Sequence, residues 1–272
     1  MMNYSVLMTV YKKDSPEFFV QSVSSMLNQT VKTNDFVLVC DGELTEELEC
    51  AISNVFKGKE NILNLVRLPQ NVGLGKALHD TLPLCKNEWV ARMDDDDIAH
   101  LNRCEIELKF IEKNPGLSIV GSYVNEFDDN PNNPIRVKKV PTDVNQILKY
   151  SKRRNPFCHS TLMIKKSDII AAGNYSTMRT NQDVDTWIRV LNKGYLGANI
   201  EKPLVDFRFD KNTYKRRREW QNCKLMILVW KKFWEKKYCS FLDCIIVSFS
   251  QLAVYFMPEI FLKWIYNRIG RS

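Results

Sequence analysis

A chain of 272 residues can bury a sizeable core, as one large domain or two small ones, and a composition of 44% hydrophobic and 26% charged residues excludes a wholly disordered protein. The net charge of +7 is lodged at one end: residues 211–272 hold 13 Lys or Arg against 4 acidic residues, while the rest of the chain is slightly acidic. Such asymmetry points to an anionic surface as the tail's partner, either membrane or nucleic acid.

Residues 5–10 predict an apolar strand ending at Thr9-Val10-Tyr11, and Ser15-Pro16 then supplies an N-cap and first-turn proline for a helix carrying Phe19, Val20, Val23, Met26 and Leu27. Phe36–Cys40 is a second buried strand closing on Asp41-Gly42. A helix from Thr45 follows, with Leu48, Ile52, Val55 and Phe56 on one face, and then a third strand over Ile62–Leu68. The Gly-rich turn Asn71-Val-Gly-Leu-Gly-Lys76 leads into a helix with Leu74, Ala77, Leu78 and Leu82. An apolar strand over 88–93 then runs straight into Asp94, Asp95, Asp96 and Asp97. Strands alternating with helices at this spacing predict a parallel sheet covered on both faces.

In open sheets of this kind ligands sit beyond the carboxyl ends of the strands, where Thr9 to Tyr11, Asp41, the Gly73–Lys76 turn and the Asp run all fall. Their chemistry suits a nucleotide: Asp41 can accept from a base N–H or a ribose hydroxyl, Tyr11 can stack on the base, and Lys76 or Arg92 can meet phosphate. Gly73-x-Gly75 does not match the G-x-G-x-x-G fingerprint. Four adjacent carboxylates repel one another, and a divalent cation is an economical compensation. Along an extended segment Asp94 and Asp96 would face one ligand and Asp95 and Asp97 the opposite side. All-oxygen ligation suits Mg2+ or Mn2+ sharing its shell with substrate phosphates; a solvated acidic turn is the plain alternative.

A helix over 101–113, a strand over 117–124, a polar surface loop at Asp128–Pro134 and a short helix over 143–151 come next. Beyond Asn155-Pro-Phe-Cys-His159-Ser-Thr161 and Gly173-Asn-Tyr175, the segment Asn181-Gln182-Asp183-Val184-Asp185-Thr186-Trp187 opens a helix with Val184, Trp187, Ile188 and Leu191 inward. Asp183 and Asp185 lie in its first turn, where the helix dipole favours carboxylates, so capping and catalysis are both open readings.

In the tail, Tyr214-Lys-Arg-Arg-Arg218 precedes Trp220, Cys223, Ile227, Trp230 and Trp234 at helical spacing, with lysines around them. This predicts a basic amphipathic helix over 214–237 lying on an anionic membrane. Residues 241–257 are apolar but short for a span and include Asp243, Ser248, Ser250 and Gln251, which suits a monotopic segment or a helical hairpin packed on the rest of the chain. Nucleic acid is the competing partner, against which the acidic crevice argues. Eight cysteines without a C-x-x-C pair, and an N-terminus without a basic n-region, read as a reduced cytosolic chain with no signal peptide.

Taken together, Thr9-Val10-Tyr11, Cys40-Asp41-Gly42, Asn71 to Lys76, the Asp run, Asn155 to Thr161 and Gln182-Asp183-x-Asp185-x-Trp187 resemble the family 2 glycosyltransferases. The nearest subgroup is the bacterial enzymes that build capsule, exopolysaccharide or O-antigen units. The resemblance implies the GT-A fold, an α/β architecture with a mostly parallel nucleotide-binding sheet flanked by helices. Its catalytic domain would span residues 1–210, with nucleotide-sugar binding in 1–124 and acceptor binding in 125–210, and residues 211–272 would form a helical, membrane-associating region.

The resemblance further implies inverting transfer from a nucleotide-sugar, UDP-linked, to an undecaprenyl-diphosphate-linked glycan, with Mn2+ or Mg2+, at the cytoplasmic face of the inner membrane. Carried over residue by residue, it gives the nucleotide to Thr9, Val10, Tyr11, Asp41, Asp94 and Asp95, the metal to Asp96 with Asp94, catalytic proton abstraction to Asp183, and the acceptor to Asn155, His159, Gln182 and Trp187. His159 is open as an alternative base or as a structural hydrogen-bonder. The sequence departs from the family pattern at Gln182, at Cys40 and at Asp95, where the family has Glu, Asp and a small residue. A nucleotide-sugar-binding protein without transfer, and a two-metal nucleotidyltransferase, are the competing readings.

Overall fold

The structure is a computed structural model that describes residues 2–209 and 218–257. Tyr214 to Arg217 of the expected basic helix, and everything from Pro258 on, lie outside the described residues. Four strands open the chain: β1 (Tyr4–Val10), β2 (Asp35–Cys40), β3 (Leu63–Arg67) and β4 (Trp89–Arg92). They are linked by helices α1 (Pro16–Leu27), α2 (Glu46–Val55) and α3 (Leu74–Thr81). They lie in the order β3-β2-β1-β4, all parallel as expected. Alternation along β1 divides the core. Tyr4, Val6, Met8 and Val10 meet α1, α2 and α4 (Arg103–Lys113) on one face, while Leu7 packs with α3 and with α6 (Lys166–Ala171) and α7 (Gln182–Asn192) on the other.

Beyond β4 the sheet is mixed, within the mostly parallel α/β architecture expected. β8 (Met163–Lys165) runs antiparallel between β4 and β6 (Leu117–Phe127), and β9 (Leu196–Arg208) lies parallel to β6. The short β5 (Ile98–Ala99) closes the far edge against β9, and β7 (Arg136–Lys138) pairs with β6 outside the main order. Strand order therefore reverses at β1, whose neighbours β2 and β4 follow it in opposite directions. That is the point at which such sheets open a crevice.

Following α5 (Val144–Ser151) and α7, the chain ends its described part in two antiparallel helices, α8 (Trp220–Glu235) and α9 (Phe241–Phe256). Their inner faces, Cys223, Val229, Trp230, Phe233, Cys244 and Val247, are buried, most of them against Val184 and Ile188 of α7. Ser240 and Asp243 cap α9 reciprocally, and Asp243 also pairs with Arg153 at 2.5 Å. A hairpin packed on the rest of the chain was one expectation, and this is what the described residues form. No helix among them is long and apolar enough to cross a membrane.

Candidate active site

A crevice of about 860 Å³ opens at the carboxyl ends of β1, β2 and β4, a volume typical of small-molecule sites. Thr9, Val10, Tyr11, Asp41 and Arg92 line it, as do Asp94, Asp95 and Asp96. Asp41 is braced before any ligand arrives: Oδ1 accepts from the Val72 amide at 2.7 Å, and Oδ2 accepts from the Gly73 amide and Asn71 Nδ2, both at 2.9 Å. The left-handed turn that allows this needs Gly42 (φ +91°), where a Cβ would lie 2.7 Å from the Asn71 nitrogen.

The second glycine pair has a different use from a phosphate cradle. At Gly75 a Cβ would sit 2.3 Å from the carbonyl oxygens of Ser176 and Met178, so this glycine seats the 176–178 segment directly on α3. Arg179 of the same segment reaches back to Asn71, donating to its carbonyl at 3.0 Å and its side-chain oxygen at 2.9 Å. Lys76 does not line the crevice. It pairs with Asp80 one turn along α3, on an exposed part of the helix, which corrects its expected place at phosphate.

The aspartate run is a turn, not an extended segment, so its carboxylates do not simply alternate. The chain turns at Asp95 and Asp96, which with Asp94 face the crevice, whereas Asp97 is fully buried and accepts from the Arg208 amide at 2.9 Å. β4 anchors one end of the turn to β1 and β5 anchors the other to β9. Arg103, itself fully buried with Glu107, holds the turn from below by donating to the Arg92 carbonyl at 2.9 Å. Arg92 is 1% exposed and pairs with Asp94, yet its Nε and Nη1 find no partner among the described residues. Burial and neighbouring carboxylates raise the proton affinity of Asp95, which shares a hydrogen bond with Asp14, and of Asp97.

Negative charge is thus concentrated here. Among the described residues no three His, Cys, Asp or Glu side chains converge tightly enough to enclose a metal by themselves. The donor set, all oxygen and crowded on one turn, fits a hard divalent ion that takes its remaining ligands from substrate and water.

Asp183 faces the same crevice, and Asn155 Nδ2 donates to its Oδ2 at 2.8 Å. Burial raises its proton affinity, while backbone N–H groups and the Lys138 ammonium oppose that rise. The N-cap position of α7 is Asn181, in the left-handed region; Asp183 accepts from backbone N–H groups of the first turn, and Asp185 turns away to pair with Lys232 at 2.7 Å. Gln182 and His159 also line the crevice. Burial, then the Arg92 charge, lowers the pKa of His159 to about 3. Trp187 is fully buried beneath, with ring centroids 5.9 Å from His159 and 5.3 Å from Tyr175, so it supports the floor and makes no part of the lining expected for it.

Several lining residues were not singled out from the sequence. Asp14, Lys138 and Arg179 arrive from separate loops and strands, and Asn222, Met226, Gln251 and Val254 come from the C-terminal hairpin.

A family model described as "Glycosyl transferase family 2" matches residues 5–170. The chain is 37% identical over 268 residues, covering 98% of itself and 96% of the relative, to an Escherichia coli protein named UDP-Gal:alpha-D-GlcNAc-diphosphoundecaprenol beta-1,3-galactosyltransferase. It is 30% identical to the amylovoran biosynthesis glycosyltransferase AmsE of Erwinia amylovora, covering 97% and 98% of the two chains. Among solved structures, a Pyrobaculum calidifontis mannosyltransferase in complex with GDP-Man and Mn2+ shares the fold at a TM-score of 0.67 and 13% identity, over 94% of this chain and 70% of that one. Staphylococcus aureus TarS in complex with UDP-GlcNAc does so at 0.59 and 15%, over 83% and 67%. With a family model covering more than half of its length and a relative matched almost end to end, this GT-A chain belongs to glycosyltransferase family 2, of the surface-polysaccharide type.

Proposed function

We propose that the enzyme transfers a sugar, with inversion and metal dependence, from a UDP-linked donor to a lipid-linked glycan. The observation that carries this reading is one crevice lined both by the aspartate turn and by the Asn155-held Asp183. The E. coli relative's name, a UDP-Gal-dependent transferase acting on a diphosphoundecaprenol-linked sugar, supports the choice of donor and acceptor.

Tyr11 and the loop braced by Asp41 take the nucleoside, and Arg92, with two unused donors at the crevice floor, takes anionic or hydroxyl oxygens of the donor. Asp94 and Asp96 would hold Mn2+ or Mg2+, whose charge stabilises the departing nucleoside diphosphate. Asp183 receives the proton of the acceptor hydroxyl as that oxygen bonds to the anomeric carbon and the carbon–oxygen bond to the diphosphate breaks. A single displacement from the opposite face inverts the centre. His159, whose pKa burial lowers to about 3, serves as a hydrogen-bonding partner to the acceptor. The hairpin's outer face attaches the enzyme to an anionic bilayer.

The test is product analysis with purified protein, UDP-galactose and UDP-N-acetylglucosamine, and a polyprenyl-diphosphate-linked N-acetylhexosamine. Transfer should disappear in chelator and fall at least about a thousandfold, roughly 4 kcal/mol of barrier, in Asp183→Asn and in Asp96→Ala. Release of pyrophosphate would favour the nucleotidyltransferase reading, and tight donor binding without turnover would favour the binding protein.

A further inference from the structure

The turn that carries Asp94 and Asp96 is held by side chains that take no part in lining the crevice. Ser22 of α1, fully buried, donates from Oγ to the Asp94 carbonyl at 2.6 Å. Arg208, the last residue of β9, does the same for Asp96: its Nε donates to that carbonyl at 3.1 Å, while its own backbone N–H donates to Asp97 Oδ1 at 2.9 Å. The Arg208 guanidinium is itself seated. Its central carbon lies 3.7 Å from the Phe18 ring centroid and 4.7 Å from that of Phe127, and Nη2 donates to Gln21 Oε1 at 3.1 Å. Phe127 is fully buried at the end of β6, and Phe18 and Gln21 belong to α1.

A flat cation with donors at fixed angles can lie against aromatic rings and reach two acceptors at once; a lysine ammonium on its flexible stem cannot do both. On charge alone, however, Arg208 is the wrong neighbour for a divalent cation. A guanidinium bonded to the Asp96 carbonyl repels any dication that the Asp96 carboxylate holds, and offsets part of the negative charge that would attract one. Geometry accounts for it instead, because a carboxylate is an effective ligand only when the group that carries it is fixed by hydrogen bonds of its own. With the Asp94 and Asp96 carbonyls both bound, rotating either peptide, and with it the direction of the side chain, requires a hydrogen bond to break.

We infer that Arg208 is a positioning residue for the divalent ion: lying against two rings and bonded to the Asp96 carbonyl, it fixes the direction in which the Asp96 carboxylate is presented to the crevice. This rests on the reading above that Asp94 and Asp96 hold the metal. Charge and position act with opposite signs here. Loss of a nearby cation alone would tighten metal binding, whereas loss of the brace weakens it.

The experiment titrates Mn2+ into the full chain with UDP, following the free ion by electron paramagnetic resonance, and measures UDP affinity in chelator by calorimetry. Arg208→Lys, which keeps the charge, and Arg208→Met, which removes it, should each raise the Mn2+ concentration at half-saturation about tenfold, with UDP affinity in chelator changed less than about twofold. Phe18→Leu, which spares the guanidinium but removes one of its rings, should raise it about threefold, and decides the matter where substitution of Arg208 unfolds the chain. Mn2+ affinity that is unmoved or tighter in these variants, or that Arg208→Lys restores to the wild-type value, overturns the inference and leaves the glycosyltransferase reading standing. A wild-type protein that binds UDP equally in Mn2+ and in chelator overturns the metal reading itself.

Discussion

Asp183 sits in a partly buried position where desolvation favours its protonated form, backbone N–H groups and the Lys138 ammonium oppose this, and the Asn155 amide donates to Oδ2. A carboxylate with raised proton affinity is a stronger base once ionised, but it loses activity as pH falls through its pKa. Asn155→Ala removes a donor that stabilises the ionised form. The acid limb of the kcat/KM profile should therefore move to higher pH. A limb that stays in place would assign that titration to another residue. The placing of Asp183 at a helix start and of the aspartate run after a strand was legible in the sequence, because both follow from local pattern. Which carboxylate faces which way was not: the turn at Asp95 and Asp96, and the burial of Asp97 under Arg208, depend on β5 pairing with β9.

The Gly-rich turn shows the same division at the level of elements. Its glycines mark a close approach, yet the partner is the 176–178 backbone a hundred residues away rather than a phosphate. Gly75→Ala should destabilise the fold by about 1–3 kcal/mol in urea denaturation, because its methyl group would meet two carbonyl oxygens that cannot retreat independently. An unchanged midpoint would show that the segment is not seated there in solution. The β1 to β4 half was readable because each strand is a continuous apolar run flanked by a periodic helix. β9 was not, since Gly197, Glu201, Lys202 and Pro203 interrupt its pattern and its pairing with β6 shifts register between Ser122 and Val124.

At the scale of the molecule, the hairpin is two-sided, with one side packed on α7 and lining the crevice and the other apolar and rimmed by lysines. Attachment through that outer face should be both hydrophobic and electrostatic. Flotation with phosphatidylglycerol vesicles should weaken as salt rises, since each basic residue near an anionic surface contributes about 1 kcal/mol and is screened. The double variant Leu242→Asp, Phe249→Asp should reduce the bound fraction at least about tenfold at low salt, with no change in thermal midpoint, because both side chains are already exposed. Retained binding in this variant would place the membrane contact elsewhere.

The local pattern of the sequence alone determined the parallel opening of the sheet, the gathering of Thr9, Asp41 and the aspartates at its strand ends, and the amphipathic basic tail, because periodicity and charge are properties of neighbouring residues. Tertiary structure decided what depends on distant partners: the mixed second half of the sheet, the outward turn of Lys76, the burial of Trp187 and the use of one hairpin face as a crevice wall. Those follow from which surfaces meet, and a surface's partner is set by the folding of the whole chain.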